Sequence, residues 1–135
     1  MRHKIKVQLR FNDIDILGHL NNTVYFSLYD LGKARYMEDA GLRTAGPEPP
    51  SSVIADVHCS YIKPIHYGDD IYVTTGCLTM GDKSFTLRQE MVDGQGDVRS
   101  VCQTVMVYID PATGQSAPLP QWFRDKITKF EHSGS

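Results

Sequence analysis

The feature that most constrains the fold is a helical segment, Thr23 to Ala40, that is apolar on almost every side. Aromatic and small residues recur in it at spacings of three and four, namely Tyr25, Tyr29, Gly32, Tyr36 and Ala40. A helix with such a narrow polar stripe needs cover on most of its surface, so the rest of the chain must wrap around it. Asn21 or Asn22 is a suitable N-cap, and Gly41 is a suitable stop.

The other segments alternate between apolar and polar residues, which is typical of half-buried strands. One strand precedes the helix and runs from Ile5 to Phe11. A proline-rich loop, residues 41–52, follows the helix, and short turns rich in glycine and aspartate separate the segments after it. These segments predict four further strands, which begin near Val53, Ile71, Phe85 and Val98. The last segment, Pro120 to Phe130, is compatible with one short helix.

Consecutive strands joined by tight turns form an antiparallel sheet. A helix of about 18 residues is ~27 Å long, which is close to the width of a curled sheet of five strands at ~4.8 Å spacing. The predicted fold class is therefore α+β, with a five-stranded antiparallel sheet wrapped around one long central helix. The 135 residues fit a single domain, expected at residues 1–130 with a disordered tail at 131–135. The open edges of the sheet predict pairing with at least one more copy.

Composition and charge exclude several classes of function. The net charge is −2, so the chain lacks the basic footprint of a nucleic-acid-binding protein. No apolar run reaches the roughly 18 residues of a membrane span, and the N-terminus has no apolar block typical of a signal peptide. We therefore expect a cytoplasmic protein. The three cysteines, Cys59, Cys77 and Cys102, are widely spaced on predicted strands, which disfavours a zinc or disulfide framework and predicts packing in the core.

Polar residues are concentrated in the stretch RFNDIDILGHLNNTVY, residues 10–25, between the first strand and the helix. Aspartate and asparagine at such a junction commonly form turns and caps, and we expect this role for Asp13 and for the Asn21–Asn22 pair. The first N–H groups of a helix have no internal acceptor and lie at the positive end of its dipole. A carbonyl oxygen placed there would meet oriented donors, so the same stretch is a candidate active site.

The pattern D-x-D-x-x-G-H-x-N-N-x-x-Y, followed by a long helix and four strands, resembles the hot-dog-fold acyl-CoA thioesterases. It is most like the 4-hydroxybenzoyl-CoA thioesterase group and its relatives that act on fatty acyl-CoA. The segments SYIKPIHYGDDIYV, residues 60–73, and VYIDPATGQSAPLP, residues 107–120, resemble the same family. The Gly-His-x-Asn-Asn run is absent from the 4-hydroxybenzoyl branch and is closer to the fatty-acyl enzymes, which favours a fatty acyl substrate.

This resemblance implies hydrolysis of an acyl-CoA to the free acid and CoA. It implies that Asp15 is the catalytic carboxylate, as general base or as nucleophile. It also implies that the N–H of Asn22, with its neighbour Thr23, polarises the carbonyl. Neither a metal nor a cofactor is implied, since CoA is part of the substrate. The implied assembly is a homodimer with a continuous sheet and the active site at its interface, or a tetramer built from such dimers.

The candidate site thus has two catalytic residues, Asp15 and Asn22, and a set of substrate-binding residues. The substrate-binding candidates are His19, Asn21, Thr23, Tyr25, Tyr61 and Lys63. Basic residues on or near strand ends are candidates to bind the CoA phosphates, and these are Lys63, Arg88 and Arg99.

Two other functions compete with thioester hydrolysis. A hot-dog hydratase or dehydratase acting on enoyl thioesters would pair a carboxylate with a histidine, and Asp15 with His19 superficially offers such a pair. The hydratase pattern spaces the two residues by five with an intervening proline, whereas here the spacing is four and no proline intervenes. The other competing function is that of a non-catalytic, acyl-binding protein of the same family, which the intact Asp15 disfavours.

Overall fold

A computed structural model describes residues 3–42 and 52–133 of the chain. The elements are β1 (His3–Val7), α1 (Asn22–Asp39), β2 (Ser52–Tyr61), β3 (Ile71–Met80), β4 (Ser84–Asp93), β5 (Val98–Tyr108) and α2 (Gln121–Ser133). The strands form one antiparallel sheet in the order β1-β3-β4-β5-β2, and α1 packs on one of its faces. The predicted α+β fold, five antiparallel strands around one long helix, is confirmed. Neither described helix combines the length and apolarity needed to cross a membrane.

The core between α1 and the sheet is divided into two apolar clusters. The cluster nearer the start of α1 includes Tyr25, Tyr29, Val73, Met91 and Cys102. The cluster nearer its end includes Tyr36, Met37, Phe85, Leu87 and Met106, together with Phe123 of α2. Large buried side chains thus hold both halves of α1 against the sheet.

Four buried polar residues, which we call the polar belt, separate the two clusters: Lys33, Thr75, Gln89 and Thr104. Each lies between a residue of one cluster and a residue of the other along its own element. The Gln89 amide donates to the Tyr29 carbonyl at 2.9 Å and to Thr75 Oγ1 at 3.0 Å. The Lys33 ammonium donates to Thr104 Oγ1 at 3.4 Å, and its Nζ lies 3.2 Å from an oxygen of Asp30. These bonds offset part of the cost of burying polar groups, although Gln89 Oε1 has no hydrogen-bond partner among the described residues.

The first strand is shorter than predicted, because β1 ends at Val7 rather than continuing to Phe11. Val7 pairs with Ile71, the first residue of β3, so the neighbouring strand offers no further partner. The chain then forms a turn in which the Asp13 carboxylate accepts hydrogen bonds from the backbone and side chain of Arg10, both at 2.9 Å. Such local bonding competes with strand pairing, and it leaves Phe11 76 % exposed.

The C-terminal helix is longer than predicted. α2 runs to Ser133, so the expected disordered tail is wrong for residues 131–133. Within this part, the Glu131 carboxylate accepts hydrogen bonds from the Tyr36 hydroxyl and from the backbone N–H of Cys77. These bonds tie the last turn of α2 to α1 and β3. The predicted loop falls mostly in residues 43–51, and the end of the predicted tail falls in residues 134–135; both stretches lie outside the described residues.

The three cysteines lie on strands, as expected, and are free thiols. Cys102 is fully buried in the core, whereas Cys59 and Cys77 are partly buried. Burial raises the pKa of the Cys77 thiol to about 12, so this side chain behaves as a neutral, mostly apolar group.

Candidate active site

The turn before α1 holds the Asp15 carboxylate at a defined position. The backbone of Asp15 bonds to His19 and Gly18, and Gly18 adopts the positive φ of 82° that the turn requires. Asp15 Oδ1 accepts the backbone N–H of Leu17 at 2.9 Å and that of His19 at 3.1 Å. Its other oxygen has no hydrogen-bond partner among the described residues, so one oxygen is fixed and one is available for chemistry.

The first turn of α1 contributes one backbone donor to the site. Asn21 is the N-cap, and its side-chain oxygen accepts the N–H of Thr23 at 3.1 Å and the Thr23 hydroxyl at 3.0 Å. The N–H of Thr23 is therefore already occupied. The N–H of Asn22 has no acceptor in the described part of the chain. Of the two donors expected from the sequence, Asn22 is the one that the cap leaves free.

A cavity of about 240 Å³ joins this turn, the start of α1 and the end of β2. It is lined by Asp15, His19, Leu20, Asn22, Tyr25, Tyr61, Ile62, Lys63 and Pro64. Six of the eight sequence-derived site residues lie together there. The two that do not line it, Asn21 and Thr23, form the helix cap. Three further residues complete the wall and are not among those predicted from the sequence, although each flanks a predicted site residue: Leu20, Ile62 and Pro64.

Two tyrosines form an aromatic wall of the cavity. The rings of Tyr25 and Tyr61 meet edge to face with their centroids 4.7 Å apart. Burial raises the pKa of both hydroxyls above the ordinary value, so both remain protonated at neutral pH. They present apolar ring surface and neutral hydroxyl groups, not charge.

His19 faces a second histidine and not the Asp15 carboxylate. Its ring packs edge to face against His66, with the centroids 5.0 Å apart, and its backbone bridges to the same residue. The Asp15 carboxylate accepts the backbone N–H of His19 and makes no hydrogen bond to its ring. In the described structure, Asp15 and His19 therefore do not form the carboxylate–imidazole pair that a hydratase needs.

The candidate phosphate-binding residues separate in the structure. Lys63 lines the cavity. Arg88 lies on β4 between two buried neighbours, so its side chain projects from the opposite face of the sheet, 3.5 Å from Glu90. Arg99 is occupied by two carboxylates, Asp69 and Asp93, each at 3.0 Å. Only Lys63 of the three is placed to meet a ligand in this cavity.

A larger cavity, of about 360 Å³, lies beside the last turns of α1 and is lined by His3, Lys4, Ile5, Arg35, Asp39, Phe130 and Glu131. His3 Nε2 donates to Asp39 Oδ2 there at 2.9 Å. This end of the helix carries the negative pole of its dipole, which disfavours a developing oxyanion.

Nowhere in residues 3–42 and 52–133 do three or more His, Cys, Asp or Glu side chains group closely enough to hold a metal ion.

Comparison with known proteins agrees with this fold. The model of the thioesterase-like superfamily matches residues 9–127. A thioesterase from Thermus thermophilus, whose structure contains coenzyme A and zinc, is 30 % identical and superposes with a TM-score of 0.84 over 95 % of this chain and 93 % of that one. A predicted thioesterase from Bacillus stearothermophilus is 25 % identical, with a TM-score of 0.85 over 93 % of each chain.

Among curated proteins, YsmA of Bacillus subtilis, an uncharacterised protein, is 22 % identical over 111 residues, which are 82 % of this chain and 75 % of that protein. The superfamily match covers most of the chain, and the fold agrees with that of the solved thioesterases. This chain belongs to the thioesterase-like superfamily and is a thioester hydrolase with the hot-dog fold.

Proposed function

We propose that the protein hydrolyses a fatty acyl-CoA to the free acid and CoA, with Asp15 and the Asn22 N–H as the reacting groups. The observation that carries this proposal is that a carboxylate with one free oxygen and an unoccupied helix N–H line the same cavity. The relative from Thermus thermophilus, which binds coenzyme A, supports an acyl-CoA substrate in general.

The start of α1 supplies the electrophilic half of the proposed reaction. The thioester carbonyl oxygen accepts the Asn22 N–H at the positive pole of the helix. Because the donor is part of the backbone and the Asn21 cap fixes the turn, it needs no rearrangement when negative charge develops on the oxygen. The carbonyl carbon then becomes open to attack from the side of Asp15.

Asp15 supplies the other half by one of two routes. As general base, it takes a proton from water while the water oxygen bonds to the carbonyl carbon; the CoA thiolate leaves and takes up a proton. As nucleophile, it forms a mixed anhydride as the thiolate leaves, and water then cleaves the anhydride. Single-turnover hydrolysis in ¹⁸O-labelled water tests the routes: label found in the Asp15 carboxylate identifies the anhydride. Because water can also attack the acyl carbon of the anhydride, label confined to the product acid identifies the base only when mass spectrometry of the acid-quenched enzyme finds no acylated Asp15.

The apolar wall of the cavity supports an aliphatic acyl group. Tyr25, Tyr61, Leu20 and Ile62 offer ring and alkyl surface, and Lys63 at the same cavity is suited to a CoA phosphate. Purified protein is to be assayed with straight-chain, branched and aromatic acyl-CoAs and a thiol reagent that reports free CoA. We expect the highest kcat/KM for a straight-chain substrate, and a preference for benzoyl-type substrates would contradict this assignment.

The second subunit is proposed to complete the site. β2 is an edge strand, and its exposed side chains include Val53 and Ile54, each 46 % exposed. Such an edge is a template for pairing with another chain. Tyr61, the last residue of β2, lines the cavity, so a copy that pairs with β2 lies beside the site. We propose a homodimer with a continuous sheet, from which a tetramer can be built.

The reaction is proposed to need water and no metal or other cofactor. Because a relative contains zinc, the direct test is dialysis against EDTA. Unchanged turnover after dialysis is the expected result, whereas loss of activity that added zinc restores would contradict the proposal.

The three free thiols agree with the reducing environment of the cytoplasm, where we propose the protein works.

The same assay separates the competing functions. Release of free CoA identifies the thioesterase. Loss of enoyl absorbance without CoA release would identify a hydratase, and binding without turnover would identify an acyl-binding protein. The His19 ring contacts His66 and not the Asp15 carboxylate, so the structure offers no observation that favours the hydratase.

A further inference from the structure

Arg99, at the start of β5, binds the end of β4 and two points of the loop that follows β2. Its Nε donates to Asp93 Oδ2 at 3.0 Å, and its Nη1 donates to Asp69 Oδ2 at 3.0 Å and to the Pro64 carbonyl at 2.8 Å. Its side chain is only 16 % exposed. A planar guanidinium can reach acceptors in different directions at once, which a lysine ammonium on a flexible stem does less well.

The same residue also holds the loop after β2 through its backbone. The Arg99 carbonyl accepts the N–H of Ile62 at 2.9 Å and that of Lys63 at 3.1 Å. At the far end of this loop, Asp69 Oδ2 accepts the N–H of His66 at 2.8 Å as well as the Arg99 guanidinium. Arg99 therefore fixes both ends of the segment 62–69, which carries three residues of the cavity wall.

This loop is in direct contact with the turn that holds Asp15. The Ile65 carbonyl accepts the N–H of Leu20 at 2.6 Å, and the His66 ring packs against the His19 ring. His19 in turn donates its backbone N–H to Asp15 Oδ1 at 3.1 Å. An unbroken series of contacts thus leads from the Arg99 guanidinium to the Asp15 carboxylate.

We propose that Arg99 is a positioning residue for the reaction: by fixing the loop 62–69 it sets the place of the Asp15 carboxylate against the thioester. This inference rests on the proposed function in that Asp15 acts on the substrate. The CoA phosphates are then left to other basic groups, because the guanidinium is occupied within the protein. A displacement of about 1 Å in such a carboxylate can lower a rate roughly 10²-fold.

The test compares Arg99→Met and Arg99→Lys with a matched control, Arg124→Met. Arg124 also holds a loop with its guanidinium, since it donates to the carbonyls of Gly81, Asp82 and Leu119. That loop joins β3 to β4 and contributes no residue to the cavity. Both arginines are loop-holding groups, but only one of the loops meets the Asp15 turn.

Three measurements are made on the full-length variants that remain folded. Steady-state kinetics gives kcat and KM with the best acyl-CoA. The ¹H–¹⁵N spectrum of the protein without substrate reports the amides of Leu17 and His19, whose N–H groups bind Asp15. The third measurement compares the residual hydrolysis rate of the Asp15→Asn variant with that of the double variant that also carries Arg99→Met.

We expect Arg99→Met to lower kcat about 10²-fold, with a smaller change in KM, and to shift both amide resonances. Arg99→Lys should recover part of the lost kcat. Arg124→Met should lower stability without lowering kcat and without shifting the amide resonances of Leu17 and His19. In the Asp15→Asn background, Arg99→Met should lower the residual rate no further, because residues that act as one unit are not additive.

A folded Arg99→Met enzyme with unchanged kcat and unshifted Leu17 and His19 amides would overturn the inference. So would a loss of kcat that persists in full in the Asp15→Asn background, since Arg99 would then act by another route. A wild-type protein that hydrolyses no acyl-CoA would instead contradict the proposed function, and the amide shifts would still decide whether Arg99 positions the Asp15 turn.

Discussion

Gly32 of α1 lies so close to Val73 of β3 that a Cβ added to the glycine would be 2.6 Å from Val73 Cγ1. The same Cβ would be 2.9 Å from the Gln89 amide nitrogen. Glycine is thus required for the helix to approach the sheet this closely, although it lowers helix propensity.

Replacement of Gly32 by alanine should therefore destabilise the protein. In an exposed helix the change would stabilise by about 1 kcal/mol, but here overpacking should outweigh that gain and cost about 1–3 kcal/mol. The free energy of urea unfolding gives the value. Ser27→Ala, at an exposed position of the same helix, is the control and should be neutral or slightly stabilising. A stabilised Gly32→Ala variant would show that the helix can move away from β3 at no cost.

Asp15→Asn should abolish most of the turnover and leave the fold intact. The amide keeps an oxygen that can accept the N–H groups of Leu17 and His19, but it neither takes a proton nor attacks a carbonyl. Loss of a general base lowers rates by about 10²–10⁴-fold. CoA release measures the rate, and circular dichroism checks the fold. Asp125→Asn on α2 is the matched control, and wild-type turnover in Asp15→Asn would remove Asp15 from the mechanism.

Asn21→Ala should destabilise α1 at its first turn. The variant loses the acceptor of the Thr23 N–H and hydroxyl, and loss of such a cap costs about 0.5–2 kcal/mol. Asn21→Asp keeps the acceptor and should retain the stability. Unfolding in urea compares the three proteins. Equal stability of Asn21→Ala and wild type would mean that the cap contributes nothing.

The carboxylates around Arg99 should make stability depend on acid pH. Burial alone would raise the pKa of Asp69 and of Asp93. The backbone N–H of His66 donates to Asp69, other backbone N–H groups donate to Asp93, and the Arg99 guanidinium donates to both. Together these hydrogen bonds outweigh burial and hold the pKa of each carboxyl below the ordinary 3.8. Carboxyls whose pKa is lowered by folding stabilise the protein above their ordinary pKa, and this contribution is lost as the pH falls through the lowered values.

The destabilisation caused by Arg99→Met should therefore be largest at neutral pH and should shrink below about pH 4. The control is Arg124→Met, because its acceptors are backbone carbonyls that do not titrate in this range. Its effect on unfolding free energy should not change with pH. Parallel pH profiles for the two variants would contradict the assignment of Asp69 and Asp93 as the partners that matter.

Val57→Lys should separate the proposed dimer and lower its activity. Val57 is an exposed apolar residue of the edge strand β2, and a lysine there places charge in the proposed interface. Light scattering after size-exclusion chromatography gives the mass of the particle. Leu78→Lys, at an exposed apolar position of β3, is the control and should keep the wild-type mass. A monomeric wild type, or a dimeric Val57→Lys, would contradict pairing through β2.

The elements of the fold were predictable because each carries a local pattern. The helix pattern predicted α1 to within one residue at either end, and strand alternation located β2 to β5. The end of β1 was not predictable from Ile5 to Phe11, because the alternation continues past Val7 while the partner strand does not. Strand length here depends on a neighbour 64 residues further along the chain, at Ile71.

The same distinction applies to the site. Asp15, Asn22 and His19 belong to one short stretch, so sequence alone grouped them. The sequence makes Arg99 a candidate phosphate contact, because its partner Asp69 lies 30 residues away in the loop between β2 and β3. Its other partner, Asp93, lies across the short turn between β4 and β5. Only the packing of the loop 62–69 against the start of β5 brings both carboxylates to the guanidinium.

The polar belt across the core has a consequence for how the protein can change over evolutionary time. Because Lys33, Thr75, Gln89 and Thr104 separate the apolar clusters, substitutions that reshape one cluster have few direct neighbours in the other. Under the proposed function, the half of the core beside Tyr25 borders the acyl group. Replacement of its side chains should then change substrate range, while the half beside α2 keeps its packing. Substrate range and stability would then depend on opposite ends of α1.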